Sequence, residues 1–216
     1  MGSFSRRAAR QVPAVAALLV IAVACGGGNN PSPTTPNVDP SVLPSMDVML
    51  AEKSLGSASA PHTVIEYSSF TCPHCAEFDV VYLPQLKANY IDTGSVRFIF
   101  RNSPRDTTVD LAAAMLARCS GDRYFDAVHA LFSNQGAWAS SPSQALDALM
   151  RNFGMSQQVI DACKASTTLR DGVLKMKADG LQQYNYEGVP AFIVDGTHHI
   201  EGISPQLWLE LQQYLQ

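Results

Sequence analysis

Several things are scarce or missing in this chain of 216 residues, and each absence narrows its function. Basic charge is in deficit, with 15 Lys and Arg against 19 Asp and Glu. Nucleic-acid binding needs basic patches, so no nucleic-acid partner is expected. There is no internal repeat, so no solenoid or propeller is indicated. The longest apolar run, Val12 to Ala24, is too short to span a bilayer comfortably. Cysteines number only five, and two of them stand as Cys72-Pro73-His74-Cys75. No second CxxC exists to complete a four-ligand zinc site, and His198 and His199 are adjacent, a poor ligand spacing. A c-type haem needs His after the second cysteine, but Ala76 stands there.

What is present begins with a leader. Arg6, Arg7 and Arg10 precede the apolar run, which ends in small residues, the pattern of a secretory signal over 1–24. Ala22-Val23-Ala24 before Cys25 suits ordinary cleavage. Cys25-Gly26 also resembles a lipobox, although Ala22 replaces the usual leucine. The Gly-, Asn-, Pro- and Thr-rich stretch that follows reads as a tether over 25–45. A lipid-anchored protein needs such a tether, so lipidation of Cys25 is the preferred reading over a free soluble protein. Removing 1–24 takes three arginines and no acid, leaving 12 basic and 19 acidic side chains and a net charge near −7.

Residues 46–216 are long enough for one domain with a real core. The stretch from Asp47 to Gly56 has strand-like apolar spacing, and "HTVIEYSSF" and "SVRFIF" read as buried strands. "CAEFDVVYLPQLKANYI" has helical spacing, with a kink expected at Pro84. From Asp106 to Tyr184 five segments read as helices separated by Gly and Ser. "PAFIVDG" and "THHIEG" form a strand–turn–strand pair around Asp195-Gly196. "SPQLWLELQQYL" closes as a helix, with Ser204 as cap and Pro205 at its first position. His129 lies among core positions and reads as a packed histidine. Trp138 and Trp208 carry no legible function.

A disulfide across two residues closes too small a loop to restrict the unfolded chain much, whereas a redox couple wants such a loop. The pair follows a strand and opens a helix, where free N–H groups and the helix dipole favour a thiolate at Cys72. Pro73 suits the first helical turn. His74 would add to the effect if protonated or hydrogen-bonded to the sulfur. Stabilising the thiolate favours the dithiol and makes the disulfide an oxidant. Cys119 and Cys163 can be two buried thiols or a second disulfide, and an exported, oxidising setting favours the bond.

From about His62 to Leu215 the chain resembles the DsbA-like thiol:disulfide interchange proteins, thioredoxin-fold enzymes of the bacterial envelope. The segments that carry this are "VIEYSSFTCPHC", "FRNSP", "AAAMLARC…YFDAVHALF" and "GVPAFIVDG", the last about 115 residues after the CPHC. The resemblance implies an α/β thioredoxin fold, with a helical domain inserted over about 105–184 between the third strand and a cis-proline loop. It implies Cys72 as exposed nucleophile, Cys75 as buried resolving cysteine and Pro190 as the cis-proline. Gly188 and Val189 would then lie in a substrate-binding loop, Val189 offering backbone groups to an extended substrate. Glu66, which on an ordinary strand would point to solvent, would be an acid beneath the disulfide. The implied activity is disulfide donation to reduced or unfolded exported proteins. A quinone-linked membrane protein would re-oxidise the couple. No metal or dissociable cofactor is called for, because the couple is in the side chains. The alternatives are an isomerase or reductase on the same fold, or a non-enzymatic envelope chaperone.

Overall fold

The computed structural model describes residues 43–140, 143–204 and 206–215. The expected signal, Cys25, most of the tether and Pro205 lie outside the described residues. The chain opens with helix α1, Met46–Leu50, and strand β1, Lys53–Leu55. The expectation of a strand from Asp47 is therefore corrected. Ser45 caps α1, its hydroxyl accepting from the Val48 N–H at 3.3 Å, and Met49 is buried. A short apolar run fits either period, and here the cap decides it.

Strand β2, His62–Ser68, delivers the cysteines. Helix α2, Pro73–Glu77, follows and runs on through a π turn, Phe78–Tyr82, helix α3, Leu83–Leu86, and a second π turn, Lys87–Ile91. The irregularity expected at Pro84 thus takes the form of widened turns on either side of the proline's helical turn, which lacks an N–H to donate. Strand β3, Val96–Asn102, returns parallel to β2. Then comes the helical block: α4, Val109–Cys119, α5, Tyr124–Ser133, α6, Gln135–Trp138, α7, Ser143–Phe153, α8, Gln157–Ala165, and α9, Thr167–Tyr184. The one-turn α6 was not legible in the sequence. Strands β4, Ala191–Val194, and β5, His198–Glu201, and helix α10, Leu207–Tyr214, complete the fold.

The sheet has five strands in the order β1-β3-β2-β4-β5. The strand that carries the cysteines is central, pairing parallel to β3 and antiparallel to β4. Alternation along β2 puts Val64, Glu66 and Ser68 on one face and Ile65 and Tyr67 on the other. Val64 joins the main core with Phe70, Phe78, Phe98 and Phe192. Tyr67 joins a smaller cluster with Tyr186, Ala191 and Ile193. Glu66 therefore sits on the main-core face, which takes it out of water. Phe70, fully buried, packs against Phe100 of β3 and Phe132 of α5, with ring centroids 5.9 and 4.8 Å away. It ties the turn before the cysteines to both the sheet and the helical block.

Candidate redox site

Cys72 is the N-cap of α2, with extended backbone, and Pro73 follows at the first helical position. The Cys72 thiol is pulled down to about 6. The largest cause is the hydrogen bond with the Cys75 thiol. Burial opposes it, while the N–H groups of Cys75 and His74 and the charge of Arg105 assist. Cys75 goes the other way. Burial pushes its thiol well up, and the bond to Cys72 and the negative charges of Glu66 and Cys72 add to that. In this structure the two cysteines are free thiols. One site thus holds a sulfur prepared to ionise beside a sulfur held protonated.

Two expectations need correction. Cys72 is not exposed: it is 4% accessible, because the Val189–Pro190 segment closes over it. Its thiol donates to the Val189 carbonyl at 3.3 Å. His74 does not aim its ring at the sulfur. That side chain is 62% exposed and its Nδ1 lies 3.5 Å from Glu77, so its contribution to Cys72 runs through the backbone N–H.

The Val189–Pro190 peptide is cis. Gly188 donates its N–H to Glu201 Oε2 at 3.2 Å, and Glu187 donates to Oε1 at 3.0 Å, so β5 holds this loop from behind. The Val189 N–H has no hydrogen-bond partner among the described residues. Glu66 is 1% exposed and its Oε1 has no partner among the described residues. Burial holds its carboxyl well above the usual range, and negative charge on Asp79 and Cys72 adds to this.

Asp79 stands one turn after Cys75 and is 4% exposed. Its Oδ2 meets His129 Nδ1 at 2.8 Å. Burial raises its carboxyl and the histidine opposes that. His129, read from sequence as packed, is 59% exposed on its side chain. It sits at the surface end of a buried carboxylate because α5 turns it toward Asp79 rather than into the core.

Asp110 and Gln135 were not singled out in the sequence. Asp110, fully buried at the start of α4, accepts from Ser69 Oγ at 2.7 Å, the Phe70 N–H at 2.8 Å, Thr71 Oγ1 at 3.1 Å and the Arg105 N–H at 2.6 Å. Gln135 Nε2 donates to the carbonyls of Phe70 and Cys72 at 2.8 and 2.9 Å. Both partners are some 40 to 65 residues distant in sequence, beyond the reach of any local pattern. Cys119 and Cys163 are joined as a disulfide between α4 and α8, both buried in the main core. Among the described residues no cluster of His, Cys, Asp and Glu could hold a metal ion, and no helix is long and apolar enough to cross a membrane.

A family model described as thioredoxin matches residues 50–215. A Rickettsia typhi protein, whose name protein-disulfide oxidoreductase is itself an inference, is 31% identical over 147 residues. That match covers 66% of this chain and 54% of the relative, so the chain spans about half the length of that relative. A Bacillus cereus protein named as a probable disulfide bond formation protein D is 28% identical over 158 residues, 68% of this chain and 71% of its own. The crystal structure of alpha-DsbA1 of Wolbachia pipientis superposes with a TM-score of 0.67 and 26% identity, covering 81% of this chain and 94% of that one.

Proposed function

Because the chain belongs to the thioredoxin family, we propose that it is a thiol–disulfide oxidoreductase with Cys72 and Cys75 as its couple, working in the donor direction. The observation that carries this is the opposed pair of thiols, Cys72 lowered to about 6 and Cys75 raised. A substrate thiolate attacks the Cys72 sulfur of the disulfide. The Cys72–Cys75 bond breaks, and Cys75 leaves as a thiolate that takes a proton from the neutral Glu66 carboxyl. The substrate's second thiolate then attacks its own sulfur in the mixed disulfide, and Cys72 leaves as a thiolate. The substrate loses two electrons and gains a disulfide, while the couple becomes a dithiol. A sulfur of low pKa is the better leaving group, which suits Cys72 to that last step. The unpartnered Val189 N–H suits strand-like pairing with an extended substrate.

On this reading the substrates are reduced or unfolded exported proteins, and the protein would meet them in the bacterial envelope. Lipid on Cys25 would hold it to the membrane. A quinone-linked membrane protein, as the family resemblance implies, would re-oxidise the dithiol. Metabolic labelling with a radioactive fatty acid, lost on Cys25→Ser, tests the anchor.

The deciding experiment is the equilibrium of the couple with glutathione in the full chain. For a two-electron couple each tenfold change in that equilibrium is about 30 mV. A couple more oxidising than glutathione supports the donor reading. One more reducing than glutathione moves the protein to the reductase side. Cysteines that do not exchange would be a staple, and the chaperone reading would lead.

A further inference from the structure

The turn that presents Cys72 is gripped by the helical block through two side chains of opposite character. Asp110 takes donors of the turn, namely the Phe70 N–H and the Ser69 and Thr71 hydroxyls. Gln135 takes its acceptors. One carboxamide nitrogen has two hydrogens, and here they serve two carbonyls, Phe70 at 2.8 Å and Cys72 at 2.9 Å.

Gln135 stands on firm ground. It opens α6, a single turn anchored by Trp138, which is fully buried and donates its Nε1–H to the Leu131 carbonyl at 2.9 Å. The Ala139 N–H closes the turn on the Gln135 carbonyl at 2.9 Å.

The Cys72 carbonyl that Gln135 holds has a second task. It accepts the Ala76 N–H at 3.2 Å, the first bond of α2. Its direction sets the plane of the Cys72–Pro73 peptide, and that plane decides how the next turn's N–H groups face the sulfur. Those groups, on His74 and Cys75, help to lower the Cys72 thiol, although the sulfur accepts no cap hydrogen bond from them. A second donor on the same carbonyl also withdraws negative charge from beside the thiolate.

We propose that Gln135 is a positioning residue for the redox couple. By holding the carbonyls of Phe70 and Cys72 it fixes the peptide that leads into α2, and with it the direction of the first α2 amides beside the Cys72 sulfur, so the helical block sets the couple's redox poise. This rests on the oxidoreductase reading above. Gln135 touches neither sulfur and takes part in no bond-making step.

Two variants separate this role from simple adhesion between block and turn. Q135M keeps the length and removes both donors. Q135E keeps the shape and sets an acceptor against two carbonyls. Each is made in the full chain and read in three ways: the ultraviolet absorbance titration of the Cys72 thiolate, the glutathione equilibrium, and urea unfolding of the oxidised form. In Q135M the titration is expected to move upward and the glutathione equilibrium to move about fivefold toward the disulfide, the worth of about one net hydrogen bond. Q135E is expected to move both further in the same direction. Urea stability that falls while titration and equilibrium stay at wild-type values would overturn the proposal and leave Gln135 as an adhesive contact. If the wild-type chain does not exchange with glutathione, the oxidoreductase reading fails, while the thiolate titration still decides whether Gln135 acts on the sulfur.

Discussion

Cys72 and Cys75 are the same residue type three positions apart, and position alone drives them in opposite directions. Cys72 meets N–H groups at a helix start, while Cys75 meets the core and Glu66. The folded pKa of Cys72, about 6, lies below the ordinary thiol value of 9.0, so the stability it lends the reduced form is full above about 9 and lost as pH falls through 6. Between pH 5 and pH 8 the reduced form should therefore gain about 2.5 kcal/mol on the oxidised form. Urea unfolding of both forms at the two pH values measures this. An unchanged gap would mean that Cys72 titrates like a free thiol. Glu66 has the opposite sign. Its folded pKa is raised, so its contribution is complete below 4.5 and is lost as pH climbs toward the raised value. In Glu66→Gln the fall of stability with pH in that window should be shallower by about 1.4 kcal/mol per pH unit, one proton's worth. Oxidised protein unfolded in urea at pH 5, 6 and 7 supplies the slopes, and identical slopes would place the Glu66 carboxylate in water.

At the scale of elements, the close approach of α9 to the central strand shows what sequence patterns can and cannot carry. Gly180 lies over the Tyr67 ring, and a Cβ there would come within 2.2 Å of Tyr67 Cε1. The ring has little room to move, since it is buried and stacked on Tyr186 with centroids 4.7 Å apart. Gly180→Ala should cost about 1–3 kcal/mol by overpacking, despite alanine's better helix propensity. Adding Tyr67→Leu should return most of that loss. Urea unfolding of the single and double variants tests this pairing, and a neutral Gly180→Ala would show that α9 can lift away freely. A glycine inside "KMKADGLQQY" gave no sign of this contact, because its partner is on a strand more than a hundred residues earlier. The strand β2, the start of α2 at Pro73 and the helical block were legible, since each is a local pattern of one element. Asp110 and Gln135 were not legible, because a side chain that serves a distant turn leaves no local period. The Asp47 stretch was misread for a related reason: a few apolar residues fit either period until the Ser45 cap settles the matter.

At the scale of the whole molecule, two cysteine pairs divide the labour. Cys72 and Cys75 lie at the junction of sheet and helical block, while Cys119 and Cys163 tie α4 to α8 inside the block, 44 residues apart in sequence. In the chain-entropy account, a loop of that size removes enough freedom from the unfolded chain to be worth about 4 kcal/mol. The bond should accordingly act on stability and leave the couple's poise alone, for the block reaches the redox turn through Asp110, Phe132 and Gln135 rather than through α8. The double variant Cys119→Ala, Cys163→Ala should unfold in urea about 4 kcal/mol more easily, with its thiolate titration and its glutathione equilibrium unchanged. A loss below about 1 kcal/mol would show that the unfolded chain is already constrained there or that the native bond is strained enough to offset its gain. A shifted glutathione equilibrium would mean that the packing of the block as a whole, beyond these side chains, sets how readily Cys72 gives up its bond.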